Sequence, residues 1–184
     1  MMPKKGFTLI ELLIVIGIIG ILAAAVIVVL NPAELLAQAR DGTRLSDMDS
    51  VQSAVNLYIA SVDTVDLVDG AATTTFRSMV GTTCGFSTAC TENTVTLTNG
   101  TGWVSVDLDS VSGGSPLPTL PTDPTNDTNY HYAWAADDTS NTFELNMRLE
   151  SERHRDKMTT DGGDDGDGAG ECTTYVEATC WYEK

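Results

Sequence analysis

The sequence GFTLIELLIVIGIIGILAAAVIVVL, residues 6–30, decides the architecture of this chain. Its apolar run from Phe7 to Leu30 contains one charged residue, Glu11. An apolar stretch of this length predicts a helix that crosses a membrane. A carboxylate within such a helix is costly in lipid, so it indicates a function. Because the residues after Asn31 are polar, acidic and rich in turn formers, the sequence predicts an anchor joined to one small head domain.

The charge of the chain is strongly negative. Its 184 residues include 10 basic and 26 acidic side chains, which gives a formal net charge of −16. Such a surface repels nucleic-acid phosphates, so we expect no nucleic-acid partner. Two lysines, Lys4 and Lys5, precede the apolar run. Since positive flanks stay cytoplasmic, the head is expected on the outer side of the membrane.

A second helical pattern follows the apolar run. Asn31-Pro32 predicts a kink or a short break, because proline inside a helix removes a hydrogen bond. Apolar residues then recur every three or four positions, which predicts one buried helix face. Its members are Leu45, Met48, Val51, Val55, Tyr58, Ile59 and Val62. Charged residues, including Arg40, Asp41, Arg44 and Asp47, are assigned to the other face, where Arg44 can pair with Asp47.

The head has strand patterns and turn signals. Residues 63–78 are interpreted as a loop. Residues 94–98 and 103–108 flank Asn99-Gly100 and predict a hairpin. Residues 130–134 and 142–150 predict a second antiparallel pair. The predicted fold is therefore α+β, with a long N-terminal helix whose apolar half protrudes and whose amphipathic half packs against a small antiparallel β-sheet.

These patterns divide the chain into four parts. Residues 1–6 are a short basic leader, and residues 7–30 are a transmembrane helix, which the family resemblance described below implies is also a filament-core helix. Residues 31–62 are the amphipathic half of the long helix. Residues 63–184 form a β-rich head with an acidic loop.

All four cysteines lie in the predicted head: Cys84, Cys90, Cys172 and Cys180. An even number of cysteines beyond a membrane segment favours disulfides. The short spacings favour the pairs Cys84–Cys90 and Cys172–Cys180, one of three possible pairings. Free thiols and a zinc site of four cysteines are the alternatives. Zinc sites usually have C-x2-4-C spacing, which these cysteines lack.

An acidic, glycine-rich stretch near the end of the chain could bind a cation. Residues 159–171 read TTDGGDDGDGAGE. Its carboxylates offer several oxygen ligands in a short flexible span, as calcium requires. The candidate ligands are Asp161, Asp164, Asp165 and Asp167. The EF-hand template does not fit, because Gly163 takes its third position and Cys172 its twelfth. A solvated acidic loop is the alternative.

The chemistry-bearing residues do not form an enzyme motif. The sequence has no nucleophile elbow, no phosphate-binding loop, no dinucleotide fingerprint and no paired-histidine zinc signature. Its tryptophans, Trp103, Trp134 and Trp181, are interpreted as packing residues. We therefore expect a protein that is not an enzyme.

The leader and the first turns of the apolar helix carry a family resemblance. Lys-Lys-Gly at 4–6 is followed by Phe-Thr-Leu-Ile-Glu-Leu-Leu at 7–13. This combination resembles the class III signal of type IV pilins and pseudopilins. The resemblance implies cleavage between Gly6 and Phe7 by a prepilin peptidase, followed by N-methylation of Phe7. It also implies that Glu11 neutralises that amine on a neighbouring subunit.

The resemblance also implies partners and a location. The precursor would be a single-pass membrane protein, delivered by an assembly platform in the inner or cell membrane. Its N-terminal helices would then associate into a homopolymer, an extracellular or cell-surface filament. Residues 121–126, Pro-Thr-Asp-Pro-Thr-Asn, resemble the P-x-D-P segment of major pseudopilins, in which a nearby acidic loop binds calcium.

Three functions fit these features. A structural subunit of a type IV pilus-like filament is the favoured one. A major pseudopilin of type II secretion has the same build and is favoured by the P-x-D-P segment and the acidic tail. A membrane-anchored binding domain that never polymerises is the third, from a different class.

Overall fold

The chain divides into two compact units, Met1–Leu36 and Ala37–Lys184. A computed structural model describes residues 6–68, 73–79, 86, 90–160 and 180–183. The first unit contains helix α1, Leu9–Leu30, and the start of helix α2, Pro32–Ser61. The second unit contains the rest of α2 and a five-stranded sheet. The α+β class is confirmed.

The predicted break between the two helices is present. Helix α1 ends at Leu30 because Asn31 has a left-handed backbone, with φ 37°. Asparagine tolerates this conformation, which commonly ends helices. Pro32 then takes the first position of α2, where its missing N–H needs no partner.

Helix α2 places its predicted apolar face in the core of the second unit. Met48, Val51, Val55 and Tyr58 are buried, and each is at most 4% exposed. They belong to one apolar cluster with residues of the sheet, such as Leu145. The predicted packing of the amphipathic helix against the sheet is therefore confirmed.

The sheet contains both antiparallel and parallel pairs. Its strands are β1 Thr73–Arg77, β2 Thr91–Glu92, β3 Ala133–Asp137, β4 Thr142–Met147 and β5 Tyr182–Glu183, in the order β2-β1-β3-β4-β5. Strands β1 and β3, β3 and β4, and β4 and β5 pair antiparallel. Strands β1 and β2 pair parallel, so the prediction of a purely antiparallel sheet is wrong. The thirteen residues between them, 78–90, are enough for the crossover that a parallel pair requires.

The loop predicted for residues 63–78 is confirmed for residues 63–68, which contain no helix or strand, but it is wrong for residues 73–77, which form β1. Strand β1 pairs with β3 along its whole length, from Thr73 opposite Asp137 to Arg77 opposite Ala133. A run of β-branched threonines followed by an aromatic residue fits a strand well. The second predicted antiparallel pair is confirmed as β3 and β4, although β3 lies three positions later than the predicted 130–134 and β4 ends three residues earlier than predicted.

The hairpin predicted around Asn99-Gly100 has no strands. One isolated bridge joins Asn99 and Asp107. Residues 103–106 are all buried, so the side chains do not alternate between core and solvent. Two backbone hydrogen bonds join the segments, from the Trp103 N–H to the Val95 carbonyl at 3.0 Å and from the Leu108 N–H to the Thr98 carbonyl at 2.8 Å. The buried Ser105 hydroxyl donates to the Leu67 carbonyl at 2.7 Å and accepts from Trp134 Nε1 at 3.0 Å. The predicted packing role of the tryptophans is confirmed, since Trp103, Trp134 and Trp181 have no exposed surface.

Candidate functional site

The apolar surface of α1 is the first candidate site. Its described large apolar side chains are all exposed, from 43% for Val15 to 84% for Leu9. They occur on every side of the helix, as the sequence LIELLIVIGIIGILAAAVIVVL requires. A helix that is apolar all round must be buried in a large core or in a membrane. The structure supplies no such cover within the described residues, so α1 needs lipid or other protein chains around it.

The length of α1 suits a bilayer. Its 22 residues span about 33 Å at 1.5 Å per residue, close to the roughly 30 Å hydrocarbon thickness of a bilayer. Residues Leu9–Ile27 form a candidate membrane span with a mean hydropathy of 2.9. The candidate N-terminal transmembrane helix is thereby supported by length and composition.

The start of α1 brings the predicted processing residues and Glu11 close together along the chain. Gly6 and Phe7 precede the helix in a non-helical conformation, and Phe7 is 83% exposed. Thr8 caps the helix: its Oγ1 accepts a hydrogen bond from the Glu11 backbone N–H at 3.3 Å. Glu11 therefore lies in the first turn, where the helix dipole favours a negative charge. Sequence reasoning passed over Thr8, although threonine before an apolar helical run is a recognised cap signal.

The roles assigned to Gly6, Phe7 and Glu11 stay predictions, because cleavage, methylation and pairing between subunits involve other molecules. Glu11 is the single ionisable side chain of α1, and it is exposed. The geometry therefore leaves its carboxylate available to a cation supplied from outside the chain.

The predicted calcium ligands lie outside the described residues. These are Asp161, Asp164, Asp165 and Asp167. In the part of the chain that the structure describes, no group of three or more histidine, cysteine or acidic side chains could hold a metal ion.

The predicted disulfides are only partly covered by the structure. Cys90 and Cys180 are disulfide-bonded. Cys84 and Cys172 lie outside the described residues, so the pairing stays a prediction.

A buried ionic cluster in the head is a second candidate site, and sequence reasoning missed it. At its centre the Arg44 guanidinium is fully buried. Its Nε and Nη2 donate to the two carboxylate oxygens of Asp123 at 2.7 and 3.0 Å. Its Nη1 donates to Asp41 at 2.9 Å and to Glu150 at 3.3 Å, and its Nη2 also donates to the Thr125 hydroxyl at 3.0 Å. All five guanidinium N–H groups can thus be satisfied.

This arrangement corrects the predicted solvent-facing positions on α2. Arg44 pairs with Asp41 and Asp123, whereas the predicted Arg44–Asp47 pair is wrong. Asp47 instead accepts a hydrogen bond from the Tyr132 hydroxyl at 2.7 Å. Burial raises the pKa of Asp47, partly offset by that hydrogen bond, and burial likewise raises the pKa of Tyr132.

Burial and ion pairing act in opposite directions on Arg44. Burial alone would lower the pKa of its guanidinium, but the hydrogen bonds to Asp123 and Asp41 outweigh it and raise the pKa above its ordinary value. Arg44 therefore stays charged, and it is a fixed cation in the head. Its guanidinium also lies 4.8 Å from the centre of the Tyr130 ring, within range of a cation–π contact.

Asp41 links α2 to the chain that follows β4. Its Oδ1 accepts the backbone N–H of Glu150 at 2.9 Å, and its Oδ2 accepts that of Ser151 at 2.8 Å. A carboxylate held by backbone N–H groups and a guanidinium is fully compensated when buried. The cluster thus fastens one helix to two remote segments, residues 123–125 and 150–151.

The cluster also explains the P-x-D-P segment of this chain. The Asp123 Oδ1 accepts the backbone N–H groups of Thr125 and Asn126 at 2.8 and 3.1 Å, which shapes the loop. Both oxygens of Asp123 also bind Arg44. The positive charge that compensates the buried Asp123 carboxylate therefore comes from Arg44.

Acid should weaken the outer part of the cluster. Hydrogen bonds from Arg40 and Arg44 lower the pKa of Glu150 below its ordinary value of 4.5, against the opposing effect of burial. A carboxylate with a lowered folded-state pKa stabilises the fold above its unfolded pKa, and this contribution is lost as the pH falls through the folded pKa. We expect the melting temperature of the chain to decrease as the pH is lowered from about 4.5. The decrease should be less steep in Glu150→Gln.

Thermal melts across the acid range measure this effect. The matched control is Glu92→Gln, which removes an exposed carboxylate in β2, outside the cluster. If the melting temperatures of Glu150→Gln and of the unmodified chain decreased equally with falling pH, the stabilising role of Glu150 would be contradicted.

Comparisons with known proteins bear on the N-terminal segment. Residues 1–27 match the model of the prokaryotic N-terminal methylation motif. The chain is 52% identical over 54 residues to the type IV major fimbrial protein FimA of Dichelobacter nodosus, a match that covers 29% of this chain and 34% of that protein. A fimbrial protein of the same organism matches equally. FimA of Dichelobacter nodosus strain VCS1703A is 48% identical over 54 residues.

The matched part spans about a third of the length of these curated relatives. No solved structure matches the chain. The resemblance to type IV pilins, stated from the leader and the apolar helix, is confirmed by the methylation motif and by the similarity to fimbrial proteins.

Proposed function

We propose that this chain is a structural subunit of a type IV pilus-like filament, assembled from the membrane after prepilin peptidase cleaves between Gly6 and Phe7. The observation that carries the proposal is α1 itself: a helix exposed and apolar on all sides, with one carboxylate in its first turn. The methylation motif at residues 1–27 supports this proposal.

Assembly gives α1 two successive environments. Before assembly, the helix lies in the bilayer and keeps the precursor anchored. In the filament, copies of α1 cover one another's apolar surfaces in its core. Both environments exclude water, so the exposed apolar surface of α1 is covered in each state.

Glu11 sets the register of neighbouring subunits in this proposal. Cleavage after Gly6 creates a positively charged amine on Phe7. A buried amine and a buried carboxylate are each costly alone but compensate each other when paired. A subunit that is out of register leaves both charges unpaired, so the correct register is selected.

The acidic head coats the filament. The net charge of −16 favours a hydrated, soluble surface, and it disfavours nucleic acid as a partner. The proposed partners are copies of the same chain, the prepilin peptidase and the assembly platform of the membrane. The precursor is a membrane protein, and the product is a surface filament.

Mechanical shearing of intact cells tests this function. Recovery of the chain in the sheared filament fraction, with immunogold label along surface filaments, is the expected result. A chain confined to the cell envelope would favour the pseudopilin of a secretion system, and a chain that never polymerises would favour an anchored binding domain. Either result contradicts the pilus function.

Calcium binding by the acidic loop is a further part of the proposal. A cation bound only by the folded head would stabilise it by mass action. We expect a chelator to lower the melting temperature of the full chain, and we expect Asp164→Asn combined with Asp165→Asn to remove the difference. Melting curves that are identical with and without chelator would contradict calcium binding and support the alternative, a solvated acidic loop.

A further inference from the structure

We propose that Asn99 is an acceptor site for an N-linked glycan on the head. The residues Asn99-Gly100-Thr101 form an N-x-T sequence, the pattern that N-glycosylation requires. The inference rests on the proposed function in one respect, namely that the head lies outside the cytoplasm.

The loop around Asn99 is exposed at its tip and fixed at its base. Asn99 and Thr101 are exposed, and Gly100 has a positive φ of 83°, a conformation that glycine adopts without strain. On one side the Leu108 N–H donates to the Thr98 carbonyl at 2.8 Å. On the other side Trp103 is fully buried, and its Nε1 donates to the Pro121 carbonyl at 3.1 Å. A rigid base thus presents the acceptor to solvent.

The side chains of the N-x-T sequence are already arranged for the transfer. The Thr101 hydroxyl donates to Asn99 Oδ1 at 2.7 Å, and the Thr101 backbone N–H donates to the same oxygen at 3.3 Å. Two donors on the carbonyl oxygen withdraw electrons from the amide and make the Nδ2 protons more acidic. Within the described residues, Asn99 Nδ2 makes no hydrogen bond, so it is available to react.

A second N-x-T sequence shows what an unsuitable site looks like. Asn126-Asp127-Thr128 has the same pattern. Asn126 Oδ1 is buried and has no hydrogen-bond partner, so Thr128 does not polarise this amide. The Asn126 backbone N–H is held by Asp123, next to the ionic cluster. The geometry therefore favours Asn99 and disfavours Asn126.

The transfer requires a glycosyl phosphate or pyrophosphate donor and a transferase on the outer side of the membrane. Asn99 Nδ2 forms a bond to the anomeric carbon of the sugar and loses one proton. The bond from that carbon to the phosphate oxygen breaks, and its electron pair leaves with the phosphate. No oxidant or reductant is needed. The product carries a hydrated sugar on the head surface.

Mass spectrometry of peptides from the full chain, purified from its native cells, tests the proposal. A sugar mass on the Asn99 peptide is the expected result. Asn99→Gln and Thr101→Val should lose it, whereas Thr101→Ser keeps a hydroxyl and should retain it. Asn126→Gln is the matched control and should leave the modification unchanged. An unmodified Asn99 in the native protein, or a sugar that persists in Thr101→Val, overturns the proposal.

Membrane and sheared filament fractions are analysed separately. A sugar on Asn99 in the membrane fraction of cells without filaments would support the glycan and contradict the pilus function. Filaments built from chains without a sugar on Asn99 would support the pilus function and contradict the glycan.

Discussion

Glu11→Ala should abolish surface filaments while leaving the chain anchored in the membrane. Glu11 is the only ionisable group in α1, so the substitution leaves the Phe7 amine with no compensating charge in the filament core. Removing one partner of a buried ion pair costs about 3–5 kcal/mol. That energy corresponds to a loss of roughly a hundredfold or more in the equilibrium constant for adding each subunit.

The anchor itself should tolerate this change. Alanine is less costly than glutamate inside a bilayer, so insertion is expected to be unaffected or improved. Electron microscopy of cells and quantification of the chain in sheared and membrane fractions measure both effects. Glu34→Ala is the matched control, because it removes an acidic residue from the first turn of α2 and leaves the charge within α1 unchanged. Filaments present in normal numbers in Glu11→Ala would contradict the role of Glu11.

Arg44→Met should lower the free energy of unfolding of the head by about 3–5 kcal/mol. Methionine fills much of the same volume but removes the charge that compensates Asp41 and Asp123, both of which are buried. We expect the melting temperature to fall by roughly 10 °C for a domain of this size. Arg44→Lys keeps the charge but loses the paired contact with Asp123, so an intermediate loss is expected.

Chemical unfolding of the full chain in detergent, followed by the fluorescence of the three buried tryptophans, measures this loss. Lys157→Met removes an exposed cation outside the cluster and should change the stability by less than about 0.5 kcal/mol. Adding Asp123→Asn to Arg44→Met should recover part of the loss, because it removes one of the uncompensated carboxylates. A stability of Arg44→Met equal to that of the control would show that the cluster does not hold the head together.

The two helices were predictable because their patterns allow few alternatives. A helix formed by the apolar run from Phe7 to Leu30 must be surrounded by lipid or by other protein chains. The apolar face of α2 has the period of a helix, and Asn31-Pro32 carries the signal for a break. These features are local in sequence, so they can be read without knowledge of the fold.

The ionic cluster was missed because it depends on distant segments. Arg44 and Asp123 are 79 positions apart, and Arg44 and Glu150 are 106 apart. Charged residues are usually assigned to solvent, and that default placed Asp41 and Arg44 on the wrong face. One signal was available: continuing the spacing of three and four backwards from Met48 reaches Arg44, Asp41 and Ala37, all of which are buried.

Sheet pairing was less predictable for the same reason. The direction of β2 relative to β1 is set by tertiary contacts, and two-residue strands such as β2 carry little pattern. Residues 103–106 are covered on all sides, so the alternation expected of a half-buried strand did not apply. Strands β3 and β4 are close in sequence and contain β-branched, aromatic and alternating apolar residues, so the sequence pattern could identify this pair.

Mass spectrometry of the mature N-terminus is the most direct test of the pilin assignment. We expect the chain purified from its native cells to begin at Phe7 and to carry a methyl group on its amine. A chain that still begins at Met1, or one that is cleaved after Ala25, would contradict processing as a prepilin and with it the proposed route of assembly.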